Sequence, residues 1–142
     1  MQSALKADDY LAAQRAAEPA AHLALVELVR EGLPTSLVEE AGEQLGLTIG
    51  DLTSMGVLAA RTVTHSRKQG RFSPQQSDRV SRFFRVFQHG VDTFGGAERA
   101  RRWFERPTRP LGNSRPVDLM DTDEGAQLVD DLLTRIDHGL AA

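Results

Sequence analysis

Over residues 74–94 apolar side chains recur at spacings of three and four: Val80, Phe83, Phe84, Phe87, Val91 and Phe94. That period matches the helical turn and collects them on one stripe, so a long amphipathic helix is expected, with its phenylalanines as the main packing surface. Ser73, Pro74 and Gln76 supply start signals for it: an N-cap oxygen, a proline at the first position and glutamine at the third. Upstream, residues 21–31 place Leu25, Val26, Leu28 and Val29 within three turns and stop at Gly32. Ser36 and Glu39 have capping-box spacing ahead of an inner face of Leu37, Ala41 and Leu45. Thr48 and Asp51 do the same for Ile49, Leu52 and Met55, and Gly56 breaks that helix. Residues 59–69, AARTVTHSRKQ, turn Ala60 and Val63 inward and leave Arg61, Thr62, His65, Arg67 and Lys68 on a polar face. After Gly95-Gly96, Ala100, Trp103 and Phe104 point inward from a further helix whose Arg99, Arg101, Arg102 and Arg106 lie mostly outside.

Residues 107–125, PTRPLGNSRPVDLMDTDEG, interrupt the helical pattern with three prolines and two glycines. Proline fixes φ and lacks a donor, so the run reads as a connection, and Leu111, Val117, Leu119 and Met120 make it a structured one with a short turn of helix at 116–120. Thr122 then caps a last helix, with Asp123 and Glu124 in its first turn and an apolar stripe of Val129, Leu132, Leu133, Ile136 and Leu140. At the other end, residues 1–17 are alanine-rich with little apolar periodicity, and Pro19 stops them; they read as a weakly tethered arm that turns helical on docking. No segment alternates with a period of two. The fold class is therefore all-α, with about seven helices.

Charge changes the picture more than composition does. Residues 1–60 carry three basic and nine acidic side chains, residues 61–115 thirteen and four, and residues 116–142 one and seven. A positive middle between two negative ends suggests a polyanion for the middle and a cationic partner for the tail, although solvated helix faces account for any single cluster. Cysteine is absent, which removes disulfides and thiol chemistry together. His22, His65, His89 and His138 are scattered, without metal-ligand spacing, and no glycine-rich phosphate loop is present, so no enzyme, metal or cofactor is expected. No apolar run approaches a membrane span or signal segment, and a cytoplasmic location is expected.

Helix, glycine-containing turn, then a helix rich in Arg, Lys, Thr, Ser and His is the order of a helix-turn-helix. Cations neutralise phosphate while arginine and small hydroxyls reach base edges, so Arg61, Thr62, His65, Arg67 and Lys68 are candidate DNA-binding residues. A surface helix beside a loop looks similar, and Arg79, Arg82 and Arg85, on the far side of the phenylalanine helix, either extend a phosphate-facing band or form a solvated face.

Trp103-Phe104, Pro107, Leu111-Gly112, Arg115 to Met120, Thr122 and Gly125, followed by a helix ending near Gly139, resemble the toxin-binding domain of the Xre/MbcA/ParS antitoxins. The family pattern there runs W-L, P-N, L-G-G, P-L-D-L-L, T and G. This chain departs from it at Phe104 (leucine is usual), Thr108 (asparagine) and Asn113-Ser114 (a second glycine). The first two-thirds resembles the Xre-like domain that precedes it. The resemblance implies residues 1–20 as an arm, 21–72 as a helix-turn-helix portion and 73–142 as a toxin-binding portion, the last two sharing a core. It also implies the antitoxin of a RES–Xre type II pair: a protein that neutralises a NAD-depleting RES-domain toxin by placing its C-terminal segment at the toxin's substrate pocket, and that represses its own operon, as a dimer, by binding operator DNA. Asp131, Arg135, His138, Gly139, Leu140, Ala141 and Ala142 are then the expected toxin contacts. A regulator whose C-terminal part only dimerises or binds another partner, and an adaptor that binds no DNA, are the alternatives.

Overall fold

A computed structural model describes residues 5–139, which form eight α-helices and two 3-10 turns with no strand among them. The helices are α1 (Ala7–Arg15), α2 (Pro19–Glu31), α3 (Thr35–Gln44), α4 (Ile49–Ser54), α5 (Ala60–Gln69), α6 (Pro74–Phe94), α7 (Ala97–Phe104) and α8 (Asp123–Asp137). The all-α expectation holds. Helix α6 is the spine: its Ser73 side chain accepts from the Gln76 amide, Pro74 opens it, and Gly95 closes it in the left-handed conformation.

Phe83, Phe84 and Phe87 of α6 are at most 1% exposed. Burying one such ring is worth about 1.5–3 kcal/mol, so this short run outweighs any surface ion pair in the molecule. Phe84 meets Tyr10 of α1 edge-on, while Phe83 and Phe87 pack on Phe104 of α7 with centroids 6.0 and 5.2 Å away. One side of α6 thus holds the N-terminal helices and another holds α7 and α8. Gly90 is where α6 and α7 approach: a Cβ there would lie 2.6 Å from the Phe104 ring. The missing side chain makes room for the phenylalanine that replaces the usual leucine.

The N-terminal segment is no weakly tethered arm. Within α1, Ala7, Tyr10, Leu11 and Gln14 are buried. The Tyr10 hydroxyl donates to Ser81 Oγ at 2.9 Å, and Gln14 Nε2 donates to Ser81 O at 2.8 Å. Gln88 Nε2 donates in turn to Gln14 Oε1 at 2.9 Å. Burial pushes the Tyr10 hydroxyl up to about 12, so it stays a donor at any physiological pH. These polar partners lie 67 or more positions apart in sequence, which hides them from any local periodicity.

Three other expectations change. Ser36 and Glu39 do not form a capping box, because α3 starts two residues earlier than that box requires, at Thr35 with Pro34 at the N-cap, and has no side-chain cap. Helix α2 forms but buries no residue, with Leu23 67% and Val26 43% exposed. Arg82 does not project into solvent. It is buried, its Nε donating to Asp123 Oδ1 at 2.9 Å and its Nη1 to the Met120 carbonyl at 3.2 Å, with Asp78 as a further partner. It joins α6 to the start of α8: the guanidinium is buried, while the carboxylates of Asp123 and Asp78 are largely exposed and screened by solvent.

The connector is ordered as expected. Thr108 and Ser114 form an isolated antiparallel bridge around the turn Arg109–Leu111. Asn113 adopts φ +63°, so it takes the left-handed position for which the family pattern supplies its second glycine. Thr122 Oγ1 accepts from the Gly125 amide at 3.0 Å. Gly125 itself is dictated by contact: a Cβ there would sit 1.7 Å from the Leu119 carbonyl oxygen. Gly125→Ala should therefore lower stability by about 2–3 kcal/mol, read by denaturant unfolding; an unchanged midpoint would mean that the connector does not rest on α8.

Candidate functional site

Two separate faces carry the sequence-predicted residues. The first is α5. Its entry is set by α4, where Thr48 and Asp51 form the expected capping box (Thr48 N–H to Asp51 Oδ2 2.8 Å, Asp51 N–H to Thr48 Oγ1 3.0 Å). Its exit is set by Gly70 at φ +84° and by the segment ahead of α3: the Thr35 amide donates to the Gly70 carbonyl at 3.1 Å and the Phe72 amide to the Leu33 carbonyl at 2.9 Å. Between these anchors only Val63 and Ser66 of α5 are buried, and Ala60, expected inward, is exposed. The helix is held at both ends and presents most of its surface.

At about 100° per residue, Arg61, His65 and Lys68 share one face of α5, with Thr62 and Gln69 at its edge. Arg61, His65 and Lys68 are exposed and Thr62 is half-buried. Arg67 lies on the opposite flank, beyond Val63, where its guanidinium is 3.6 Å from Glu39 of α3. Both side chains there are about half exposed, and such a pair contributes at most about 1 kcal/mol. The structure thus brings four of the five expected DNA-contact residues together and sets Arg67 to one side. A groove of about 450 Å³ runs along Arg61, Thr62 and His65 and on to the start of α6, adding Gln69, Ser73 and Gln76 to its walls. Gln69 was legible as the next step of the four-residue spacing from Arg61 and His65. Gln76 was not, because it comes from another helix.

The second face is the outside of α8. Asp131, Arg135, His138 and Gly139 are exposed. Asp131 accepts from Gln127 Nε2 at 2.8 Å, and His138 Nδ1 lies 3.1 Å from the Thr134 carbonyl. Leu140, Ala141 and Ala142 lie outside the described residues. Leu128 is 53% exposed on the same stripe as Asp131 and Arg135, three and seven positions on. Its signal in sequence was negative: it falls out of register with the apolar stripe of Val129, Leu132 and Leu133.

The inner side of α8 is clamped to α6 by an imidazole between two carboxylates. His89 Nδ1 lies 2.7 Å from Asp130 Oδ1 and Nε2 lies 2.6 Å from Asp137 Oδ2, while Thr93 Oγ1 donates to Asp137 Oδ1 at 2.6 Å. Both ring nitrogens donate at once only in the imidazolium form. Burial opposes that charge, but the hydrogen bonds and negative charge of Asp130 and Asp137 outweigh it and raise His89 above its ordinary 6.5. Hydrogen bonds from Thr93 and then His89 hold Asp137 below its ordinary 3.8. A raised histidine stabilises fully below its unfolded pKa and loses that contribution as pH rises through its folded one. Replacing His89 by Ala should therefore reduce stability most near pH 6 and progressively less at higher pH, in paired unfolding curves; a pH-independent difference would mean the ring is not charged.

Comparison with known proteins agrees with this division. Residues 24–85 match the antitoxin Xre-like helix-turn-helix domain, and residues 89–139 match the antitoxin Xre/MbcA/ParS C-terminal toxin-binding domain. The first match ends and the second begins inside α6. The chain is similar to the antitoxin Xre of Photorhabdus laumondii, with 34% identity over 119 residues covering 81% of this chain and 79% of the relative. It is likewise similar to the antitoxin Xre of Yersinia enterocolitica, 31% identical over 118 residues covering 82% and 80%. With a helix-turn-helix domain presenting α5, a toxin-binding domain ending in α8 and these relatives over four-fifths of its length, the chain belongs to the Xre antitoxin family.

Proposed function

We propose that this antitoxin neutralises a RES-domain toxin that depletes NAD, by laying the outer face of α8 and the segment after it across the toxin's substrate pocket. The observation that carries this reading is the exposed stripe Leu128, Asp131, Arg135 along the outer side of a helix whose inner side is well packed. An exposed leucine flanked by a carboxylate and a guanidinium that has no ion pair among the described residues has the make-up of an interface anchor with a polar rim. Residues 116–142 carry one basic and seven acidic side chains, and a pocket built for an anionic dinucleotide is cationic, so the tail competes for it as an anion. The His89 clamp fixes the last turns of α8, which sets the direction in which the following residues leave.

In the same proposal the protein acts as a homodimer that represses its own operon, the α5 face of Arg61, Thr62, His65 and Lys68 entering the major groove of each half-site. The absence of a membrane-spanning helix among the described residues is compatible with both roles.

The test uses the product of the adjacent gene in an NAD-consumption assay. The full chain should suppress NAD loss. Truncation after Asp137 should abolish suppression while leaving unfolding stability within about 0.5 kcal/mol, and Leu128→Asp should weaken the complex by about 30-fold or more. A truncated chain that still suppresses NAD loss would remove the pocket-covering mechanism; a neighbour that does not consume NAD would remove the RES assignment.

A further inference from the structure

We propose that α7 carries a second DNA-facing surface, in which Arg99, Arg102, Arg106 and Arg109 lie along the phosphate backbone flanking the site that α5 reads. The proposal rests on the DNA-binding reading of the helix-turn-helix and extends the footprint into the toxin-binding portion of the chain.

Helix α7 is divided sharply. Ala100, Trp103 and Phe104 are buried against α6, and Arg99 and Arg102 are exposed on the other side. Arg106 and Arg109 continue the exposed cations through the turn and the 3-10 helix that follow. Among the described residues Arg99, Arg106 and Arg109 form no ion pair, and Arg102 meets only Glu98, with side chains 66% and 87% exposed. Three other arginines of the basic middle have their charge consumed inside the protein: Arg82 by Asp78 and Asp123, Arg101 by Asp51 and Glu105, Arg115 by Asp118. Among the described residues Arg99, Arg102, Arg106 and Arg109 pair with no carboxylate of the acidic ends.

Their position points to the partner. Arg101 Nη1 is 2.8 Å from Asp51 Oδ1, in the first turn of α4, and Asp51 is the capping-box partner of Thr48, the N-cap of that helix. Ala97 Cβ is 3.0 Å from where a Cβ on Gly46 would lie, so the start of α7 also rests on the loop leading into α4. Helix α7 is thereby fixed beside the N-terminus of the first helix of the helix-turn-helix. That first helix crosses the DNA backbone while the second enters the groove. Cations held next to its N-terminus fall along the strand beyond the bases that α5 contacts. A planar guanidinium with several donors suits phosphate oxygens there, whatever the sequence. Arg101 is a positioning residue in this arrangement: its charge is satisfied by Asp51 and Glu105, and it holds the arginine surface in place.

The test measures binding of the full chain to a labelled duplex taken from upstream of its gene, and to the same duplex trimmed to the bases α5 protects, across a salt series. Neutralising each phosphate contact lowers the slope of log K against log salt by about 0.9. The variant R99Q/R102Q/R106Q should therefore lose about 2–3 units of slope on the long duplex and less on the trimmed one, while R99K/R102K/R106K keeps the slope. R61Q/K68Q should weaken both duplexes alike. The proposal is overturned if the glutamine variant keeps the wild-type slope, and an accompanying loss of toxin binding would assign the surface to the toxin instead. Failure of the unaltered chain to bind either duplex would overturn this proposal together with the DNA-binding reading; wild-type binding with an unchanged α7 variant overturns this proposal alone.

Discussion

Burial of the phenylalanine stripe of α6 is the constraint on which the rest of the structure depends. Phe83, Phe84 and Phe87 are almost fully excluded from water, and they reach α1 on one side and α7 on the other. The helix-turn-helix match ends and the toxin-binding match begins within this single helix. A break in α6 would expose the faces of both portions at once. The two binding functions therefore hang on one core and do not form two independently folded beads.

Around that core the sequence uses polar contacts to set orientation. Burying the rings alone leaves each neighbouring helix free to slide, since apolar packing has little directional preference. Tyr10, Gln14 and Gln88 fix α1, Arg82 fixes the start of α8, and His89 with Asp130 and Asp137 fixes its end. Arg101 joins α7 to the cap of α4. Each of these groups is satisfied; no buried side-chain nitrogen or oxygen among the described residues lacks a partner. The consequence for function is rigidity: α5 and α8 are presented on fixed supports, so binding does not have to supply the free energy to order them.

Much of this was legible in the chain. The helices from α3 to α8 announce themselves by period, by the Thr48, Ser73 and Thr122 caps and by the glycines that end them, because those signals are local. The α5 face was legible too, apart from Arg67, whose place opposite Glu39 depends on where α3 lies. What escaped is long-range. Helix α1 looked like an arm because half of its anchoring is polar and its partners, Ser81 and Gln88, come from a distant helix. Arg82 looked like a solvated cation because Asp123 and the Met120 carbonyl are brought to it only by the connector. Helix α2 misled in the opposite sense, since its apolar pattern is real but no element among the described residues covers Leu23 and Val26. For the outer face of α8, periodicity could place Asp131 and Arg135 outside, while the exposure of Leu128 needed the packed structure.

The most direct test of the central claim is hydrogen–deuterium exchange on the full chain, alone, with the purified toxin and with operator DNA. The account predicts that toxin slows exchange in the last turns of α8 and the residues after it, leaving α5 unchanged, and that DNA slows exchange in α5. Toxin protection centred on α5 with α8 unaffected would contradict it.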